Sequence, residues 1–106
     1  MKEKITYQAD ADLLSRIADW QSWLKDERRY SPHTLEAYAR DLSFFFAFWA
    51  DKLDRPAKLS DIDSIDITTF RAYLSRQKHR HLSKTSLARE LSSIRSFFKW
   101  LIRNHI

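Results

Sequence analysis

No glycine and no cysteine occur among the 106 residues of this chain, which also has only two prolines and one methionine. Without glycine the usual residue for hairpin turns, phosphate-cradling loops and left-handed helix caps is missing. An all-helical domain follows more easily than any sheet, and both a P-loop and a dinucleotide fingerprint are excluded because each depends on backbone that only glycine permits. Without cysteine there is no disulfide, no thiolate zinc site and no cysteine nucleophile, in keeping with a reducing compartment. No apolar run has the length of a membrane span, and the amino terminus lacks the apolar stretch of a signal peptide, so the expected location is cytoplasmic. Catalytic constellations are also missing: there is no nucleophile elbow, no HExxH and no carboxylate pair in an evident cleft. The chain is expected to do no chemistry alone and to need no cofactor.

What is present is apolar, aromatic and unevenly charged. The chain is 43 % hydrophobic, with four Trp, seven Phe and four Tyr. Each aromatic side chain can bury on the order of 150–250 Å², enough for one core in one small domain without a covalent staple. The net charge of +5 is segregated. Residues 76–103 hold eight Lys or Arg against the single acid Glu90, whereas residues 1–75 hold eleven basic and thirteen acidic groups. A basic field gathered in one region attracts a polyanion at long range and loses affinity as salt rises, because binding releases condensed counterions.

Four helices are expected after a polar leader over 1–9. Leu13, Ile17, Trp20 and Leu24 recur at steps of four, three and four and form one stripe of a helix over about 10–29. Asp10 and Asp12 suit its start, and Lys25, Arg28 and Arg29 suit its end. Ser31-Pro32-His33-Thr34 is a serine N-cap followed by proline at the first helical position, so a second helix runs over 32–50. Its core stripe is Leu35, Tyr38, Leu42, Phe45, Phe46 and Trp49; Phe44 and Phe48 project from nearly the opposite side and are read as packing against a second layer. His33, Ala37 and Arg40 leave the first half of that side open. Asp51 to Ser64 reads as a connector with one helical turn after Ser60. Asp66 caps a third helix over 67–79, with stripe Ile67, Phe70, Tyr73 and Leu74. Ser83 caps a fourth over 84–103, with stripe Leu87, Leu91, Ile94, Phe98 and Leu101. At 100° per residue, Lys84, Thr85, Ala88, Arg89, Ser92, Arg95, Ser96 and Lys99 fall on the side away from that stripe.

The second and fourth helices both open Ser-x-x-(Thr/Ser)-Leu, Ser31 to Leu35 and Ser83 to Leu87. A helix start presents unpaired N–H donors and a partial positive charge, so two starts dressed with hydroxyls are natural phosphate sites. Small side chains beyond them let a backbone approach a groove floor while Lys84 and Arg89 reach phosphates or base edges. The pattern alone leaves DNA binding and plain solvent exposure both open. His33, His79, His81 and His105 suggest surface histidines and no metal site, since no carboxylate stands at ligand spacing.

Ser31-Pro32-His33-Thr34 with Tyr38 and Asp41-Leu42, then Leu82-Ser83 with Ser86, Arg89, Leu91-Ser92, Ile94-Arg95 and Phe97-Phe98, resembles the SAM-like core-binding domain that opens tyrosine recombinases of the phage-integrase family, closest to its Xer subgroup. The likeness covers nearly the whole chain. It implies a compact bundle of four main helices with a possible short fifth, forming one jaw of a clamp around double-stranded DNA. By position it assigns DNA contacts to His33, Thr34, Arg40, Lys84, Ser86, Arg89 and Ser93, with Tyr38 and Asp41 bracing the fold. Ser31, the hydroxyl at the start of the second helix, and Thr85, Arg95 and Lys99, on the outer side of the fourth, join that set. The resemblance further implies a separate catalytic domain, absent from this chain, that breaks and rejoins DNA through a phosphotyrosyl intermediate, and other recombinase protomers as partners in a tetramer on DNA. Helix one and the aromatics near Trp20 and Trp23 are expected to serve protomer contacts. Two rivals are a helix-turn-helix regulator that inserts only its last helix, and a basic helical module that meets an acidic protein.

Overall fold

The computed structural model describes residues 5–80 and 83–104. Four α-helices and one 3-10 turn make an all-α bundle, as the glycine-free, stripe-bearing sequence predicts. Helix α1 (Ala11–Asp26) buries Leu13, Ile17, Trp20 and Leu24, the four residues of its stripe. Trp20 is wholly buried, its indole N–H donating to Ser96 Oγ at 3.3 Å, so it is a core residue and not the exposed contact expected beside Trp23. The helix ends three residues before the expected boundary, and the chain turns through Arg29 at φ 54°. Tyr30 N–H then reaches back to the Leu24 carbonyl at 3.1 Å. With no glycine available, a left-handed position falls to an ordinary residue, a modest backbone cost that the surrounding turn must hold.

Helix α2 (Pro32–Leu53) begins at the serine cap, where Ser31 Oγ accepts from Thr34 N–H at 3.2 Å. It runs one turn past the expected end and stops at Asp54, again left-handed at φ 58°. Leu42, Phe45, Phe46, Phe48 and Trp49 are buried. Phe45 is the hub of the core, its ring centroid 5.3 Å from Tyr73, 5.5 Å from Phe70 and 5.9 Å from Phe98. Phe48 packs as expected, but Phe44 is 41 % exposed under the Arg80 guanidinium, 5.9 Å from its ring centroid. The layer that covers Phe48 does not extend back to Phe44.

The connector contains the 3-10 turn Leu59–Ser64, pinned by Asp61, which accepts from Lys58 N–H at 2.7 Å and pairs with Arg55 at 2.7 Å. It also holds the end of the expected polar leader. Asp10 N–H donates to the Ala57 carbonyl at 2.8 Å, Ala57 N–H to the Gln8 carbonyl at 3.1 Å, and Tyr7 sets its ring edge-on to Phe46. Residues 7–10 are therefore part of the domain.

Helix α3 (Ile67–His79) is capped by Asp66, whose carboxylate accepts from Thr69 N–H at 3.1 Å. It buries Tyr73 and Gln77; Ile67, placed on the core stripe by its spacing, is 64 % exposed at the first helical position. Helix α4 (Lys84–Arg103) is capped by Ser83, which accepts from Ser86 N–H at 3.1 Å. Helix α2 lies at the centre and packs along α4, with α1 and α3 on its flanks and α1 also touching α4. Because neighbours meet α4 on more than one side, its buried arc is rotated from the expected stripe. Ile94, Phe97, Trp100 and Leu101 are inside together with Glu90 and Ser93, while Leu87, Leu91 and Phe98 are only half-buried.

Candidate nucleic-acid interface

The side of α4 away from the core is a continuous cationic strip. Lys84, Thr85, Ala88, Arg89, Ser92, Arg95 and Lys99 are all exposed and follow one another at helical spacing. At 1.5 Å per residue, Lys84 to Lys99 extends roughly 22 Å. The acid that the sequence places within this basic region is internal. Glu90 is 2 % exposed and accepts from the Tyr73 hydroxyl at 2.6 Å and from Gln77 Nε2 at 2.8 and 3.1 Å. Burial first, and the neighbouring Glu90 carboxylate second, push the Tyr73 phenol far up and keep it a donor. The triad ties α3 to α4 and leaves the outer face of α4 without an exposed carboxylate.

A second buried carboxylate ties α4 to α2. Asp41 is 0 % exposed; its oxygens accept from Arg89 Nε at 2.9 Å and Arg89 Nη2 at 2.9 Å, and Ser93 Oγ stands 3.0 Å away. The paired Asp41 raises the Arg89 pKa further above its ordinary value. Two expected DNA contacts are revised by this geometry. Ser93 is wholly buried, its hydroxyl within 3.0 Å of both Asp41 and the Arg89 carbonyl, and it does not reach a ligand. Arg89 presents an exposed edge, but Asp41 takes its Nε hydrogen and one on Nη2, so only the outer Nη hydrogens face solvent. Asp41 is a brace, as expected from its place in the motif.

The other candidates divide by how free they are. His33 is exposed; Thr34 and Ala37 are half-buried on the open side of α2; and Arg40 lies beside them, paired at 3.0 Å with Glu36 on the preceding turn. Ser31 and Ser83 each accept the N–H of their first helical turn and also lie 3.0 Å from the hydroxyls of Thr34 and Ser86. The two serine-led starts do not sit side by side. Tyr30 and Tyr38, which flank the α2 start, line one groove with Ser92, Ser96 and Lys99, so that start faces the middle of α4, roughly 14–20 Å along the helix from Ser83.

That groove was missed in the sequence. It adds Arg28 and Arg103 to Arg95 and Lys99, with Trp23 and Trp100 in its wall. The repeat of Arg95, Lys99 and Arg103 at four-residue steps was the available signal; the arrival of Arg28 from the α1–α2 turn was not legible. Among the described residues no group of three or more His, Asp or Glu can hold a metal, and His81 and His105 lie outside them. No described helix is long and apolar enough to cross a membrane.

The chain matches known proteins over most of its length. Residues 17–105 match the family described as Phage integrase, N-terminal SAM-like domain. Among curated relatives, the tyrosine recombinase XerC of Rhodospirillum centenum is 35 % identical over 98 residues, covering 92 % of this chain and 29 % of the relative. The XerC of Pseudomonas syringae pv. tomato is 45 % identical over 80 residues, 76 % of this chain and 25 % of the relative. The XerC of Lacticaseibacillus casei is 39 % identical over 87 residues, 82 % and 28 % respectively. This chain thus spans under a third of the length of each of these relatives. No solved structure matches. From its serine-capped helices, its braced α2–α4 crossing and these likenesses together, the chain belongs to the phage integrase N-terminal SAM-like domain family, alongside the corresponding part of Xer-type tyrosine recombinases.

Proposed function

We propose that this domain grips double-stranded DNA at a recombination half-site for a Xer-type tyrosine recombinase, laying the open sides of α2 and α4 against the major groove. The observation that carries the reading is the exposed strip of α4, basic throughout and shallow between its charges at Ala88 and Ser92. A polyanion matches its field, and small side chains permit close backbone approach. Lys84, Thr85, Arg95 and Lys99 are positioned for phosphates; His33, Thr34 and Arg40 supply the second edge from α2, with Ser31 and Ser86 ordering the two helix starts. Strand breakage and rejoining, with the tyrosine nucleophile, belong to the remainder of the recombinase, while α1 of this domain supports contacts with the neighbouring protomers of a tetramer assembled on DNA in the cytoplasm.

The test is duplex binding by the domain across a salt series. Five or six phosphate contacts give a log–log slope of about −4 to −5, and Lys84→Ala lowers its magnitude by about one. Arg40→Ala and His33→Ala weaken binding if α2 joins the interface. They change nothing if α4 acts alone as the second helix of a helix-turn-helix. A flat salt response refutes DNA binding altogether and favours an acidic protein partner.

A further inference from the structure

The cations of this surface fall into two classes. Arg40 and Arg89 each face a carboxylate, Glu36 and Asp41, which cancels much of their field. Arg28, Arg95, Lys99 and Arg103 face none: no salt bridge among the described residues includes any of them. Two are held by aromatic faces. The Arg28 guanidinium lies 5.7 Å from the Trp23 ring and 5.6 Å from the Tyr30 ring, and donates to the Tyr30 hydroxyl at 3.2 Å. Arg103 lies 6.0 Å from the Trp23 ring. A π face orients a guanidinium without neutralising it, so the charge stays available to an anion. The four cations surround an open groove of about 320 Å³ whose lining contains no carboxylate and includes the hydroxyls of Ser92 and Ser96.

We propose that this groove, between the end of α1 and the second half of α4, is a distinct binding site for backbone phosphates of duplex DNA, taking the strand that continues past the α2–α4 crossing. This rests on the DNA-gripping reading and extends it from Arg95 and Lys99 to Arg28 and Arg103. Three facts favour a nucleic-acid backbone as the occupant. The groove is open, as a continuous strand requires. It prolongs the α4 strip, because Arg95, Lys99 and Arg103 succeed Arg89 and Ser92 at helical spacing. Its lining offers hydrogen-bond donors and unneutralised cations, which suit phosphates of any sequence. Arg28 and Arg103 are the contact residues, Lys99 and Arg95 the flanking charges, and Trp23 with Tyr30 the positioning residues that set Arg28.

The test measures binding of the 106-residue domain to two duplexes of unrelated sequence, by fluorescence anisotropy over a salt series. Arg28→Gln and Arg103→Gln each lower the salt-slope magnitude by about one and weaken binding roughly five- to tenfold at physiological salt, equally on both duplexes. Arg103→Lys keeps the slope, and Trp23→Ala lowers affinity with the charge count unchanged. Thermal melts of the same variants verify folding. If Lys84→Ala reduces the slope while Arg28→Gln/Arg103→Gln does not, the groove proposal is overturned and the DNA reading stands. If neither changes it, both fall. Loss of self-association in sedimentation with the DNA slope intact also overturns the proposal, by making the groove a protein contact.

Discussion

Arg89→Ala is expected to damage folding before it damages recognition. The substitution strips Asp41, which has no exposure, of both guanidinium bonds and leaves it the Ser93 hydroxyl alone. Hydrogen bonds to charged groups contribute about 1.5–3 kcal/mol each, and breaking a fully buried ion pair costs about 3–5 kcal/mol. Arg89 is itself 48 % exposed on its side chain, so water already shares its charge and the upper figures are discounted. The net cost is about 2–3 kcal/mol, or a melting point lower by roughly 10–15 °C for a domain of this size. Urea unfolding followed by tryptophan fluorescence reads it directly. A cycle isolates the pair: with Asp41→Asn already in place no buried charge is stranded, and Arg89→Ala then costs under about 1 kcal/mol, a coupling of about 2 kcal/mol. Equal costs in the two backgrounds, or a cost below about 0.5 kcal/mol in the native one, refute the bracing role and return Arg89 to the list of free DNA contacts.

Glu90→Gln should destabilise by about 1–3 kcal/mol, because it sets an NH2 donor where one carboxylate oxygen now accepts from the Gln77 amide; thermal melts check it. Ser83→Ala removes the acceptor of Ser86 N–H and costs about 1 kcal/mol, readable as a lower urea midpoint and faster exchange of amides in the first turn of α4. The hydrogen bond and charge of Arg55 hold Asp61 down to about 2. A carboxyl lowered on folding stabilises above its unfolded value and loses that contribution as pH falls toward the folded one. The connector should therefore loosen in acid, between the ordinary carboxylate range and about 2. Proton NMR of the 3-10 turn tests this, with Asp61→Asn predicted to abolish the acid step.

Element boundaries were largely legible because they are written in local chemistry. Serine at 31 and 83 and aspartate at 66 accept the N–H groups of their own first turns, an interaction confined to four residues. Helices α3 and α4 accordingly begin and end where their caps and periodicity place them. The two ends that slipped, of α1 and α2, are those followed by left-handed residues, Arg29 and Asp54, neither of them the glycine that usually marks such a stop. The segregated charge was equally legible, since counting requires no geometry.

Burial of polar groups was not. Nothing in a hydropathy pattern puts Asp41, Gln77, Glu90 and Ser93 inside, because each is held there by partners 13 to 52 residues away. The same is true of the groove, where Arg28 and Tyr30 meet Arg95 and Arg103 across the bundle. Sequence alone therefore determined an all-helical, glycine-free domain with capped helices and a basic last third, since those properties follow from neighbours along the chain. Tertiary structure decided which cations are neutralised and which stay free, because the strength of a charge in a protein depends on the carboxylate or aromatic face that folding brings beside it.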